Sequence, residues 1–315
     1  MSALDWLSRL LVMMPVSGRL ELRCDLGAPW RVVYERSEPG EMPYHVIVSG
    51  SAVLESPDGP TQQLEAGDIV LLTHGSPHAF HDGSGARPSP ERKRDIFNVT
   101  VSENRGKGER LDMLCGRFVI TPPHDRLMRN YLPAILVVRS SAHDASHQTA
   151  TSRQLASLVG LMRAESASYT LGGYAMLNAL SAALFALTLR MASESEAADI
   201  GLLALAGHPR LAPALSAMFN EPARAWTLPE LAQLCNMSRA TLVRHFRDKV
   251  GCSVNDLLTD IRMTLAANEL KKPATSTEAV AEVVGYQSLA AFRRAFTQRM
   301  GMTPGEWRRT AQAIA

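Results

Sequence analysis

The sequence predicts an α+β chain in two parts: a small β-barrel or sandwich followed by a helical region, then an all-helical unit that uses one motif twice. Three observations predict this. Short β-branched runs dominate before residue 125, helical spacing takes over after about residue 123, and a segment near the C-terminus recurs at an offset of fifty residues. The length of 315 residues agrees, because a single core seldom grows beyond about 250 residues.

The first element is the apolar stretch MSALDWLSRLLVMMPVSG. Asp5 stands in front of it and no basic residue precedes it, so it reads as a short amphipathic helix rather than a signal peptide. The strand-like runs are 30–34, 44–48, 51–55, 68–72 and 118–120. Pro57-Asp58-Gly59-Pro60, Ser49-Gly50 and Ala66-Gly67-Asp68 supply the turns between them. The segments 87–94 and 104–110 are polar and read as surface loops.

Behind the strands, Leu177, Leu180, Leu184, Leu187 and Met191 recur at steps of three and four. Such a stripe is either a dimerisation seam or the core face of a packed helix. The uncharged stretch 166–189 is long enough to cross a bilayer. Gly172, Gly173, Asn178, Ser181, Thr188 and its many alanines argue instead for a helix outside the membrane. The polar run 192–199 reads as the start of a linker, giving expected boundaries at 1–123, 124–205 and 206–315.

Composition narrows the function. With 46% hydrophobic and 20% charged residues the chain is no disordered tail. Four scattered cysteines without a CxxC pair exclude a secreted disulfide framework and suit a reducing cytoplasm. The net charge of +2 is unevenly spread: residues 222–315 hold thirteen Lys/Arg against eight Asp/Glu, a balance of +5, which leaves −3 for the remainder. A basic module joined to a mildly acidic one suits a polyanion-binding unit attached to something with other work.

The helical unit declares its design by repetition. SRATLVRHFRDKVG (238–251) aligns without gaps with SLAAFRRAFTQRMG (288–301). In each copy a serine, Ser238 or Ser288, stands where it can cap a helix, and a glycine, Gly251 or Gly301, where the helix must end left-handed. Leu242 with Phe246, and Phe292 with Phe296, lie one turn apart and bury one face. This leaves Arg239, Ala240, Val243, Arg244 and Arg247 free in the first copy, and Leu289, Ala290, Arg293 and Arg294 in the second. A shorter helix precedes each, from Thr227 to Cys235 and from Ser276/Thr277 to Val284, turning at Asn236-Met237 and at Gly285. Helix, short turn and capped second helix make a helix-turn-helix, whose second helix enters the DNA major groove. The segment 253–270 is long enough to be the rod between the two copies, which would set the recognition helices about 34 Å apart along one face of the duplex.

The pattern Val284-Gly285-Tyr286-x-Ser288-x-x-x-Phe292-x-x-x-Phe296, closed by Gly301-x-Thr303-Pro304-x-x-Trp307-Arg308, resembles the DNA-binding domain of the AraC/XylS family of bacterial transcription regulators. Val254 stands where that family often has proline. The resemblance implies promoter or operator DNA as partner, RNA polymerase beside it as for an activator, and a homodimer. Ala240 and Val243 are small and apolar at base-facing positions and suit thymine methyls. Arg244 and Arg294 suit guanine or phosphate.

In the first part, Gly67-Asp68 followed by Pro77-His78 resembles the second motif of a cupin barrel. The first motif, which supplies paired histidines and a glutamate in cupin enzymes, is reduced here to Tyr44-His45-Val46. The resemblance therefore implies a sensory domain rather than an enzyme. The order Cys24, Trp30, His45, Gly67-Asp68, His78, Leu114-Cys115-Gly116 is similar to the regulators related to the reactive-chlorine resistance regulator. It implies Cys24 and Cys115 as an oxidant-sensing pair, with Arg23 and Arg117 as neighbours able to depress a thiol pKa. Cys24, His45, His78 and Cys115 would also make a zinc or soft-metal set if the barrel brought them together. A small organic effector in the barrel is the competing signal. Cys235 and Cys252 read as packing residues, and His74, His81, His143 and His147 carry no motif. Two rival readings stay open: a cupin metalloenzyme with a DNA-binding appendage, and an architectural protein that binds all DNA alike.

Overall fold

A computed structural model describes residues 4–96, 98–121, 124–139, 149–168, 170–195 and 201–314. His143, His147 and residues 196–199 of the polar run lie outside these residues. Spatial contacts divide the chain into two units, one made of Val16–Pro122 with Pro133–Glu194, the other of Met1–Pro15, Pro123–Leu132 and Ser195–Ala315.

The first unit holds strands β1 (Ser17–Gly27), β2 (Arg31–Tyr34), β3 (Glu41–Ser49), β4 (Ser51–Ser56), β5 (Gly59–Glu65), β6 (Ile69–Leu72), β7 (His78–His81), β8 (Glu91–Ile96), β9 (Val99–Asn104), β10 (Arg110–Val119) and β11 (Ile135–Val138). They form a seven-stranded sheet in the order β11-β6-β3-β10-β1-β9-β8 and a four-stranded sheet in the order β2-β7-β4-β5. All pairings are antiparallel except β1 with β9. The two sheets share a core of Cys24, Leu26, Trp30, Val32, Ile47, Leu54, Leu64, Val70, Leu72, Phe80, Leu111, Met113 and Cys115.

The expected loop at 87–94 is in part strand β8. Its residues are almost all exposed and among the described residues it pairs only with β9, at the sheet edge, so it has none of the apolar alternation that marks a half-buried strand. Strand β1 also escaped the periodicity, because its inward Leu20, Cys24 and Leu26 are interleaved with charged residues.

Helices α3 (Ala150–Ala167) and α4 (Gly173–Glu194) complete this unit. Helix α4 packs against β1, where a Cβ placed on Gly18 would meet the Ser181 Cβ at 2.5 Å, so the strand needs glycine there for the helix to lie close. Tyr44 Oη and Ser181 Oγ are 2.9 Å apart, and Phe118 meets Phe185 edge-on at 4.9 Å. The apolar stripe of α4 divides. Leu177, Leu184 and Met191 are buried in the unit, whereas Leu180 and Leu187 are only partly covered. By length and composition α4 could cross a bilayer; its burial against the sheet gives its apolar face a core to serve.

The second unit is helical: α1 (Trp6–Met13), α2 (Arg126–Tyr131), α5 (Leu202–Gly207), α6 (Ala212–Asn220), α7 (Leu228–Leu234), α8 (Arg239–Val250), α9 (Val254–Glu269), α10 (Thr277–Val283), α11 (Leu289–Met300) and α12 (Pro304–Ile314). The N-terminal helix α1, capped by Asp5, packs on α6 through Trp6 and Phe219. Helix α9 is the rod between the repeats. It buries Leu257, Leu258 and Ile261, and its Asp260 accepts a 2.5 Å hydrogen bond from Tyr131 of α2 and lies 3.3 Å from Arg299 of α11.

Candidate functional site

The helix-turn-helix copies are built by the same local chemistry. Thr227 and Glu230 cap α7 reciprocally, and these bonds, with Arg224 beside it, hold the Glu230 carboxyl down to about 2. Ser276 caps α10, and Ser238 and Ser288 cap α8 and α11 by accepting the N–H of Thr241 and Ala291. The turns correspond bond for bond: Met237 N–H donates to Ala232 O at 3.0 Å in one copy, and Tyr286 N–H to Ala281 O at 2.8 Å in the other. The left-handed residue of the turn is Asn236 in the first copy and Gly285 in the second, at φ 50° and 81°. Gly251 and Gly301 end the recognition helices at φ 76°.

Leu242, Phe246, Phe292 and Phe296 are fully buried, which turns the opposite faces of α8 and α11 outward. Arg239, Ala240, Val243, Arg244 and Arg247 are all exposed and, with Leu228, line a shallow groove of about 560 Å³. On α11, Ala290, Arg293 and Arg294 are exposed, but Leu289 is partly spent on the core beside Phe292. Arg293 lies 3.8 Å from Glu278. Among the described residues Arg239, Arg244, Arg247 and Arg294 have no ion-pair partner, so their charge is free for a phosphate or a base edge.

Inside the barrel the sequence-selected residues gather with one that the sequence did not single out. Cys115 on β10 is paired across the sheet with His45 on β3, and the neighbouring strand β1 carries Cys24 on the same inward face. The two thiols interact with each other and with the Tyr34 hydroxyl, which donates to Cys115 Sγ at 3.4 Å. The Tyr34 ring stacks on His78 at 4.8 Å and tilts against His45 at the same distance. His45 Nε2 and His78 Nε2 are 2.8 Å apart, and His78 Nδ1 lies 2.8 Å from the Ser76 carbonyl oxygen. Tyr34, His45 and Cys115 open onto a cavity of about 360 Å³ whose rim includes Glu21, Arg36, Glu41 and Arg117.

Electrostatics correct one expectation. Arg23 and Arg117 do not activate the thiols: Arg23, next to Cys24 on its strand, points to the opposite face, and Arg117, which lines the same cavity as Cys115, is already paired with two carboxylates. Arg23 pairs with Asp112 at 2.9 Å, and Arg117 with Glu21 and Glu41 at 2.8 and 2.6 Å. Burial instead pushes the Cys115 thiol well above the usual thiol range, and it holds Tyr34 protonated. The same burial keeps both imidazoles neutral, His45 well below its ordinary value and His78 below it.

The zinc expectation fares no better in this geometry. Among the described residues no three His, Cys, Asp or Glu side chains are grouped as metal ligands. Two nitrogens bound to one tetrahedral ion at about 2.0–2.1 Å would stand roughly 3.3 Å apart. The 2.8 Å between His45 and His78 is hydrogen-bond spacing instead.

Cys235 is buried, as expected of a packing residue, while Cys252 is partly exposed. Tyr34 and Ser76 are the functional candidates that sequence reasoning passed over. Tyr34 ended a strand-like run without a motif, and Ser76 acts through its backbone, which no side-chain pattern reveals.

A cupin family model matches residues 5–194, and a helix-turn-helix domain model matches residues 231–310. The RCS-specific HTH-type transcriptional activator RclR of Escherichia coli (strain K12) is 28% identical over 312 residues, covering 99% of this chain and 100% of its own. The HTH-type transcriptional regulator MtrA of Neisseria gonorrhoeae is 29% identical over 314 residues, covering 97% and 98%. An uncharacterized HTH-type transcriptional regulator of Haemophilus influenzae is 28% identical and covers 98% and 99%.

Proposed function

This chain belongs to the AraC/XylS family of helix-turn-helix transcriptional regulators with a cupin sensory domain, and from that premise we propose that the redox state of Cys24 and Cys115 gates how α8 and α11 dock on DNA. The observation that carries the signal is the placement of two thiols side by side in the barrel, one of them on a cavity. Burial of both thiols disfavours charged or bulky reagents and leaves room for a small uncharged oxidant. One relative is named RCS-specific, which agrees with that chemistry. A small organic effector in the same cavity is the second reading, favoured by its volume of about 360 Å³.

The DNA contacts we assign are Arg239, Ala240, Val243, Arg244 and Arg247 from α8, and Ala290, Arg293 and Arg294 from α11. Leu289 has the smaller share, since part of its side chain is packed inward. We read the chain as a cytoplasmic regulator rather than an enzyme, working beside RNA polymerase. We keep the division at 1–123, 124–205 and 206–315 as a proposal for function only; by spatial contacts Pro133–Glu194, including β11, belongs with the strands and Pro123–Leu132 with the helical unit. We also read it as a homodimer joined through α3 and α4, where Leu158, Leu161 and Leu187 line an open groove and Leu161 is 60% exposed. Sedimentation velocity at micromolar concentration returns twice the 34.3 kDa chain mass on this reading, and Leu161→Asp with Leu187→Asp returns it once. An unchanged mass in that variant places the contact elsewhere.

The gating is tested by counting thiols by mass spectrometry before and after mild oxidant while binding to the DNA upstream of its own gene is followed. A Cys24–Cys115 disulfide that appears together with changed binding supports the switch. Four unreactive thiols contradict it and direct the search to an organic effector.

A further inference from the structure

His45 carries a buried nitrogen that no described residue satisfies. The hydrogen bonds around it decide what that nitrogen is. The Ser76 carbonyl can only accept, so His78 Nδ1 carries the proton and donates to it. A neutral imidazole has one N–H, which leaves His78 Nε2 a bare acceptor and makes His45 Nε2 the donor to it. His45 Nδ1 is therefore an obligatory acceptor, and among the described residues it is buried without a partner, in a residue 1% exposed. Among the described residues that line the Cys115 cavity, only His45 holds such a buried, unpartnered polar atom. Its side chain is also the direct cross-strand neighbour of Cys115.

We propose that His45 seats and selects the oxidant: its Nδ1 accepts the O–H of an uncharged hypohalous acid, X–OH, in the cavity beside Cys115. The inference rests on the oxidant reading of Cys24 and Cys115. A hypohalite anion has no hydrogen to offer this nitrogen and must leave water to enter a buried site, so it is refused twice. Burial keeps both imidazoles neutral, so the donor and acceptor order holds across the physiological range.

The chemistry balances without a further reagent. The Cys115 sulfur takes the halogen from X–OH, forming S–X, and the thiol proton leaves with the hydroxide as water. The Cys24 sulfur then displaces halide from S–X, forming the S–S bond and releasing its own proton. Two thiols and one X–OH give one disulfide, one water, one halide ion and one proton, and the halogen takes up the two electrons that the sulfurs lose. His45 is a positioning residue in this scheme and forms no covalent bond.

The test uses the full-length reduced protein and less than one equivalent of hypochlorous acid, followed by alkylation and peptide mass spectrometry. Oxidation at the partly exposed Cys252 is the internal reference. The ratio of Cys24–Cys115 disulfide to oxidised Cys252 is expected to fall about tenfold in His45→Phe, the effect of losing one hydrogen bond of ordinary strength. With molecular iodine in excess iodide, which suppresses its hydrolysis to hypoiodous acid and so leaves no O–H donor, the same variant stays within twofold of wild type. His45→Gln, which restores an amide acceptor, recovers most of the ratio with hypochlorous acid. An unchanged ratio in His45→Phe overturns the proposal while the oxidant reading stands, and so does an equal loss with both oxidants, which reports damaged packing. Wild-type protein that forms no Cys24–Cys115 disulfide with either reagent removes the oxidant reading itself, and this proposal with it.

Discussion

Replacing Arg244 and Arg294 together by alanine is expected to weaken binding to the protein's operator about a hundredfold or more, with little change in fold. Each arginine is exposed on a recognition helix and has no ion-pair partner among the described residues, so its removal breaks no internal contact. A base or phosphate contact of this kind contributes about 1–3 kcal/mol, and the two sites are on separate helices, so their losses should nearly add. The two contact types are separable. Loss of a phosphate contact weakens all sequences alike and lowers the salt slope by about one, whereas loss of a base contact relaxes preference at one position. Fluorescence anisotropy with operator and scrambled duplexes at several salt concentrations reads both. Wild-type affinity in the double variant would remove these side chains from the interface.

The second large effect concerns the signal. Cys24→Ser and Cys115→Ser are each expected to abolish the oxidant response, so that the ratio of DNA affinities with and without oxidant goes to one. In the wild type that ratio should be on the order of 5- to 150-fold, the usual span of coupling between two sites. Serine is the suitable replacement at 115, because the Tyr34 hydroxyl that meets the sulfur can meet an oxygen in its place. DNA binding by the reduced variants should remain within about threefold of wild type, since neither thiol belongs to the helical unit. A serine variant that still responds to oxidant would place the signal in another residue or in a bound effector.

The helical unit could be read from its sequence in detail because helix caps and helix ends are local. Ser238, Ser288, Thr227 and the two terminal glycines act within four residues of their own position, and the structure places them as the spacing requires. The barrel was legible only in outline. Five of its strands announce themselves by β-branched runs, but β8 has no buried face to leave a pattern, and β1 alternates apolar residues with charges. The error over Arg23 and Arg117 has two causes: the pleat sends the Arg23 guanidinium away from Cys24 to Asp112, and Arg117, which lines the same cavity as Cys115, is paired with Glu21 and Glu41. The gathering of Cys24, Tyr34, His45, His78 and Cys115 depends on the order in which β1, β10 and β3 lie side by side and on the packing of the second sheet over them. No window of sequence contains that order. The apolar stripe of α4 could not be resolved for a related reason: a core face and a dimer seam share one periodicity, and only the position of β1 shows that Leu177 and Leu184 serve the core.

The central claim is that two recognition helices on one chain read a specific DNA sequence, and repeated selection from a random duplex library measures it most directly. An enriched site with two preferred segments one helical turn, about 10 bp, apart is expected. The segment read by α11 should lose its preference in Arg294→Ala, and the segment read by α8 in Arg244→Ala. A library that emerges from selection with no enriched sequence would rule out specific reading by the two helices and leave only charge-driven binding to any duplex.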